Sequence, residues 1–387
     1  MRIAGVIAEY NPFHNGHKYH LEETRRLGAT HIVVIMSGAT VQRGDIAVAD
    51  KFQRAQTAIE NGADLVIELP CPYSCASAER FARGAVQLLA GLGEDGVSML
   101  SFGCENDDIR LLKKAAEISE ELDDSAQVRE MLENGVSYPA AIASAAGISA
   151  ISDVFAQPNN LLAIEYIKAI KKYAPWIEPT AIARRGAAHD SGMSWGNIAS
   201  ASHIRELIRA GEDYSQFVPK TINDEPFLIE NADKALLFKV MTASSELSRL
   251  PDMSSNLVRR FINIRETKRE LINSTEDFAE LFKHKSITLA RVRRIIMYLA
   301  LGVTSRDFFD VPYGRILAFN ERGKEIFSVC KNGSMEYGTS LANLEKLSSR
   351  AARISELERN AVSLQQLCVK GKPDFKNEYT RKIVPTR

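Results

Sequence analysis

Residues Ile3-Ala-Gly-Val-Ile-Ala-Glu-Tyr-Asn-Pro-Phe-His14-Asn-Gly-His17 put two imidazoles around a glycine where an apolar strand gives way to a helix. That junction suits a nucleotide phosphate. The strand end fixes the loop, and Gly16 removes the side chain that would hold a phosphate off the backbone. The new helix offers unpaired N–H groups and the positive end of its dipole. Two imidazoles can donate hydrogen bonds as charge moves onto a leaving pyrophosphate. The chemistry read from this pattern is adenylyl transfer with ATP as donor. His14, His17 and His20 also recur at three-residue spacing, a pattern that could present imidazoles to zinc. No carboxylate or cysteine lies at matching spacing nearby, so no metal ligand set is assigned. His20 reads as a packing or supporting residue.

A second constellation is Ile198-Ala-Ser200-Ala-Ser202-His203-Ile204-Arg205. Hydroxyls at a loop-to-helix junction and an arginine one turn in can grip phosphates and steady a departing pyrophosphate. The plainer alternative is a serine cap with a surface arginine. Its pairing with the N-terminal histidines in one α/β domain favours the phosphate reading.

The elements that must position these groups follow from periodicity. Strands are expected at 3–8, 29–36, 65–69, 96–102 and 178–185, and helices at 17–27, 51–61, 78–92, 161–173 and 202–210. Pro158 suits the first turn of a helix, with an Asn side chain as cap. Alternating strands and helices predict a parallel sheet with right-handed crossovers. Ligands of such sheets bind beyond the carboxyl ends of the strands. His14 and Gly103 both fall there, so one cleft could hold both. Residues 108–148 and the chain beyond the linker at 219–226 read as mainly helical, with a break at Val311-Pro312-Tyr313-Gly314. The expectation is a Rossmann-like α/β domain over 1–215 and a mainly helical domain over 216–387.

Composition narrows the class. The 387 residues are 45% hydrophobic and 25% charged, with 49 basic and 49 acidic side chains. This is a globular composition with no global charge that points to nucleic acid. No apolar run is long enough for a bilayer, and the opening strand reads as neither a signal nor a transit peptide. Cys71, Cys75, Cys104, Cys330 and Cys368 lack paired zinc spacing. Reduced thiols in a cytoplasmic protein are expected.

The residues then carry a resemblance. His-x-Gly-His after the first strand, with the late Ser-x-Ser-x-Ile-Arg, resembles the nucleotidylyltransferase superfamily related to class I aminoacyl-tRNA synthetases. A narrower match lies in Glu9-Tyr-Asn-Pro-Phe-His-Asn-Gly-His-Lys-Tyr-His20, Met36-Ser-Gly-Ala-Thr-Val-Gln-Arg-Gly-Asp45, Gly62-Ala-Asp-Leu-Val-Ile-Glu-Leu-Pro70, Ser101-Phe-Gly-Cys-Glu105, Gln157-Pro-Asn-Asn160 and Arg184-Arg-Gly-Ala187. Pro312-Tyr-Gly-Arg-Ile-Leu-Ala-Phe-Asn320 continues it more loosely. Together these resemble the bacterial tRNA(Met) cytidine acetate ligase family.

The resemblance implies two steps. Acetate and ATP give acetyl-adenylate and pyrophosphate. The acetyl group then passes to N4 of the wobble cytidine of elongator tRNA(Met). The implied ATP segment is Ile7, Ala8, Glu9, Tyr10, Asn11, Pro12, Phe13, His14, Asn15, Gly16, His17, Lys18, Tyr19 and His20. Further ATP contacts fall on Gly103, on Asn159 or Asn160 (the second preferred), and on Arg184 or Arg185 (the first preferred). His14, His17 and Arg205 are the expected catalytic groups, with Ser200 and Ser202 on the phosphates and Mg²⁺ accompanying ATP. Gln42-Arg43-Gly-Asp45 is expected either to line the acetate pocket or to be a solvated loop.

For tRNA, two basic stretches stand out: Arg259 to Arg269, and Lys283 to Arg294 with Arg291 and Arg293. Such clusters supply phosphate contacts. Solvated helix faces balanced by Glu266, Glu270 and Glu280 are the alternative. The tail 370–387, with Phe375 and Tyr379, either stacks on RNA or frays. Two rival functions remain: a small-metabolite adenylyltransferase, and a non-enzymatic RNA-binding protein.

Overall fold

The computed structural model describes residues 1–134, 136–184, 196–222, 224–285, 287–330, 332–375, 378–381 and 383. The strands are β1 (Ile3–Ala8), β2 (His31–Ser37), β3 (Thr40–Val41), β4 (Asp45–Ile46), β5 (Leu65–Leu69), β6 (Val97–Cys104), β7 (Glu178–Ala183), β8 (Gly314–Phe319) and β9 (Tyr337–Gly338). Seven of them form one sheet in the order β7-β6-β1-β2-β5-β8-β9. From β7 to β5 all neighbours run parallel. β3 and β4 form a separate small hairpin.

The helices of the first part are α1 (Asn15–Arg26), α2 (Lys51–Glu60), α3 (Ala78–Ala90), α4 (Ile109–Leu122), α5 (Ala126–Glu133), α6 (Tyr138–Ala146), α7 (Ser149–Phe155), α8 (Pro158–Tyr173) and α9 (Ala201–Ala210). Strand alternation sorts the two faces. Ala4, Val6, Val34 and Val66 pack with Leu21 of α1 and Ala55 and Ala58 of α2. Ile3, Val33, Ile35 and Leu65 pack with Phe81 and Ala85 of α3 and with Ile164 of α8. Covered on both faces, β2 is buried at every position, hence its unbroken apolar run.

The chain moves outward from β1 through β2 to β5, then returns to place β6 on the other side of β1. Such a reversal opens a crevice at the strands' carboxyl ends. The His-x-Gly-His loop follows β1 there, and Gly103 lies near the end of β6.

The second part is mainly helical: α10 (Asp233–Thr242), α11 (Ser255–Thr267), α12 (Thr275–Phe282), α13 (Leu289–Leu301), α14 (Glu321–Val329), α15 (Leu341–Leu344) and α16 (Ser349–Gln366). It builds its own core from Phe261, Phe278, Phe282 and Ile295. It also returns β8 to the sheet, antiparallel to β5. The sheet therefore does not end at residue 215. The apolar run Arg-Ile-Leu-Ala-Phe after the expected break is a strand because β5 would otherwise expose an edge.

A buried ionic cluster joins the two parts. Lys51 Nζ lies 2.6 Å from Glu68, 3.0 Å from Glu358 and 2.8 Å from Glu378. Arg315 of β8 pairs with Glu378 at 2.6 Å and Glu68 at 3.5 Å. Burial, then the neighbouring Glu358, pushes Glu68 up to about 7.

Candidate active site

Helix α1 begins at Asn15 rather than His17, because His14 is its N-cap. His14 Nδ1 accepts from the Gly16 N–H at 3.1 Å, and His17 Nδ1 accepts from the His14 N–H at 3.2 Å. This reciprocal box satisfies two helix-start donors. It also settles the protonation pattern of the neutral rings: with both Nδ1 atoms accepting, each proton sits on Nε2. The rings stack with centroids 3.6 Å apart. A Cβ on residue 16 would lie 2.9 Å from His14 Cε1, so Gly16 first of all makes room for the capping ring.

Both imidazoles stay neutral. Burial, reinforced by Arg184 and Arg205, pushes His14 down to about 3. Burial and its neighbour His14 hold His17 well below its usual range. Two neutral N–H donors thus face a cleft without charge of their own. Tyr10, at φ 47°, turns the chain out of β1 and packs edge-on against Phe13 and His17. A non-glycine residue holds such a conformation only where its surroundings impose it.

The cleft encloses about 580 Å³ and is lined by His14, Gly16, His17, Gly103, Arg184, Ser200, Ser202 and Arg205 among others. Arg205 Nη1 donates to the Asn11 carbonyl at 2.8 Å and Nη2 to Ser202 Oγ at 3.2 Å. Ser200 caps α9, its Oγ accepting from the His203 N–H at 3.1 Å. The α9 start and the histidine loop are therefore bolted together. Asn15 adds two bonds, to the carbonyls of Asn197 (2.7 Å) and Gln216 (2.9 Å). Opposite, Arg184 Nη1 donates to Asn159 Oδ1 at 3.1 Å.

Of the expected site residues, Ile7, Ala8, Glu9, Tyr10, Asn11, Tyr19 and His20 also line the cleft. Pro12, Phe13 and Asn15 support the loop from behind, and Lys18 points to solvent away from the lining. Asn159 lines the cleft and Asn160 does not. The Asn160 amide oxygen accepts from the N–H groups of Glu105 and Asn106, both at 3.0 Å. It braces the loop after β6 and caps no helix: α8 starts at Pro158 without a side-chain cap. Arg185 lies outside the described residues. His20 Nε2 meets Ser101 Oγ at 2.9 Å, the supporting contact expected of it. Among the described residues no three His, Cys, Asp or Glu side chains are grouped to hold a metal ion.

Sequence reasoning missed the apolar wall of Phe81, Phe102, Leu161, Leu162 and Tyr166. It also missed that Thr288, Ala290 and Arg294 reach the cleft from α13 and its N-cap. Gln42 and Arg43 line the cleft from the turn between β3 and β4, so this segment is not a simple solvated loop. Several of the expected RNA-facing cations also make contacts within the fold. Arg260 donates to the Phe282 carbonyl at 3.0 Å, Arg291 to the Asp252 carbonyl at 2.8 Å, and Arg293 pairs with Glu276 at 2.7 Å.

Residues 1–380 match the family described as HIGH Nucleotidyl Transferase. A tRNA(Met) cytidine acetate ligase of Acetivibrio thermocellus is 36% identical over 99% of this chain and 100% of its own. That of Alkaliphilus metalliredigens is 33% identical over 98% of this chain and 97% of its own. The chain belongs to the tRNA(Met) cytidine acetate ligase family. Its fold agrees: the apo crystal structure of Thermotoga maritima TmcAL superposes with TM-score 0.89 at 28% identity, covering all of both chains. A second crystal form of TmcAL, bound with alpha-thio ATP, gives TM-score 0.85 at 27% identity, again over both full chains.

Proposed function

We propose that this protein is an ATP-dependent tRNA(Met) cytidine acetate ligase acting in the cytoplasm. The observation that carries the reading is the pair of neutral imidazoles, each accepting at Nδ1, that share one cleft with Arg184 and Arg205. Donors of this kind need no reorganisation when charge moves onto pyrophosphate. Acetate attacks the α-phosphorus of ATP, a P–O bond forms, the bond to the β-phosphate breaks, and pyrophosphate leaves with the electron pair. In-line positioning and charge neutralisation suffice, and no side-chain nucleophile is required. His14 and His17 donate to the transferring phosphates. Arg205 with Ser202, and Ser200 beside them, steady the β and γ phosphates. Arg184 and Asn159 hold the nucleotide over Gly103. Mg²⁺ bound with ATP would supply further countercharge to the phosphates.

In the second step the N4 amine of the wobble cytidine of elongator tRNA(Met) attacks the acetyl carbonyl. The C–N bond forms, the C–O bond to phosphate breaks, AMP leaves and N4 loses a proton. Exposed Arg259, Lys268, Arg269, Lys283 and Lys285 of the helical part are the candidate RNA backbone contacts. No helix among the described residues is long and apolar enough to cross a membrane.

The test is direct. Protein is incubated with ATP, [¹⁴C]-acetate and bulk bacterial tRNA, and the RNA is digested to nucleosides. Label in N4-acetylcytidine supports the ligase. ATP consumption with unlabelled RNA would redirect the assignment to a small-metabolite adenylyltransferase.

A further inference from the structure

We infer that Arg294 receives the carboxylate of the acid to be activated, so that the cleft binds this anion beside the triphosphate. This rests on the ligase reading above.

The cleft holds more guanidinium charge than the triphosphate end uses. Arg184, Arg205 and Arg294 all line it. They fall into two groups. Arg184 and Arg205 lie close enough to His14 to depress its pKa. Arg205 bonds Asn11 and Ser202 and Arg184 bonds Asn159, whereas Arg294 bonds Gln42 on the β3–β4 turn. Its one hydrogen bond is a long one, from Nη1 to the Gln42 carbonyl at 3.4 Å. Its Nε is buried with no partner. A guanidinium has five N–H donors, and buried donors are ordinarily satisfied. Among the described residues Arg294 has no carboxylate partner. Such a group, half-enclosed in a substrate cleft, is built to meet an anion.

Its position is fixed by packing. Gly44 has φ 78°, and a Cβ there would lie 2.5 Å from the Arg294 backbone nitrogen. The β3–β4 turn therefore sits directly on α13, and Gln42 and Arg294 form one wall. The N-cap Thr288 and Ala290 also face the cleft, so the positive end of the α13 dipole adds to the same corner. Glu9 also lines this part of the cleft. Its Oε1 accepts from the Gln42 N–H at 2.8 Å, which holds the Gln42 side of the wall to the end of β1.

A small carboxylate fits this place better than an RNA phosphate. The Arg294 Nε is buried while the side chain lines the cleft, so a ligand meets the Nη edge, which a compact carboxylate approaches more readily than a ribose-phosphate chain. One acetate oxygen held by the guanidinium leaves the other free to attack phosphorus. No proton moves in that step.

The measurement is acetate-dependent exchange of [³²P]-pyrophosphate into ATP, without tRNA, for wild type, Arg294→Gln and Arg294→Lys. The expected result is an acetate KM raised about 10- to 100-fold in R294Q, the range for loss of a charge-assisted hydrogen bond. R294K is expected to recover part of it, and the ATP KM to stay within about twofold of wild type. An unchanged acetate KM with a raised tRNA KM in acetyl transfer would overturn the assignment in favour of an RNA phosphate. A rise of both acetate and ATP KM with a lowered melting temperature would reduce Arg294 to a packing role. Wild type that exchanges no pyrophosphate with acetate would overturn the ligase reading itself.

Discussion

Arg54 Nη1 donates to the main-chain carbonyl of Glu9 at 2.6 Å. The same buried guanidinium serves the carbonyls of Ser37, Gly38 and Ala49. One side chain of α2 thus ties the carboxyl ends of β1 and β2 together just before the histidine loop. Arg54→Ala leaves these carbonyls without a donor. A loss of about 3 kcal/mol or more in urea unfolding is expected, together with slower adenylation. Unchanged unfolding would show that water replaces the guanidinium.

His14→Ala and His17→Ala should each slow acetate-dependent pyrophosphate exchange by about 10²-fold, the scale set by single oxyanion donors. Gly16→Ala should do so with both histidines present, because its methyl displaces the His14 ring. Normal exchange in all three would exclude the imidazoles as phosphate donors.

The same rings make stability depend on pH. His14 and His20 are pushed down to about 3 and about 4, chiefly by burial. Between about pH 6.5 and 4 the unfolded chain takes up protons on them that the folded chain refuses. Stability from this source is full above pH 6.5 and falls as pH drops through that window. Urea midpoints at pH 7 and pH 5 should differ less in the double variant His14→Gln/His20→Asn than in wild type. An equal difference would place the acid sensitivity elsewhere.

Glu68 works in the opposite direction. With its carboxyl raised to about 7, the folded protein holds a proton between about pH 4.5 and 7 that the unfolded chain has released. Its stabilising effect is lost as pH rises through 7. Glu68→Gln keeps the neutral form and should flatten the fall in stability between about pH 4.5 and 7. Lys51→Met strands three buried carboxyl groups around Arg315 and should cost about 3–5 kcal/mol. Calorimetry across pH checks both.

Asn159 and Asn160 separate by role. Asn160→Ala should destabilise the protein by about 1–3 kcal/mol, since the Glu105 and Asn106 N–H groups lose their acceptor. Asn159→Ala should leave unfolding almost unchanged and raise the ATP KM. The reverse pattern would exchange the two assignments.

Much of the catalytic half was legible because its signals are local. Strand and helix periodicity gave β1, β2, β5, β6 and β7, and the spacing of His14, Gly16 and His17 marked a loop that lines the cleft. The remainder depends on contacts distant in sequence. Arg294 sits in a run of arginines that reads as a basic surface, and only the seating of Gly44 on α13 turns it inward. Phe81 and Tyr166 lie within expected helices with nothing local to mark them, and they belong to the core as well as to the cleft wall. Asn159 and Asn160 are adjacent, and only the helix geometry decides which one meets the cleft. The strand β8 was hidden because an isolated apolar run among helices does not announce its partner.

The late arrival of β8 bears on how the protein is made. The parallel sheet waits, with β5 at its edge, while some 250 further residues leave the ribosome. Lys51 and Glu68 must likewise wait for Arg315, Glu358 and Glu378. A chain halted before residue 314 would carry the histidine loop and the start of α9 yet keep β5 as an open edge, with Lys51 and Glu68 lacking their later partners.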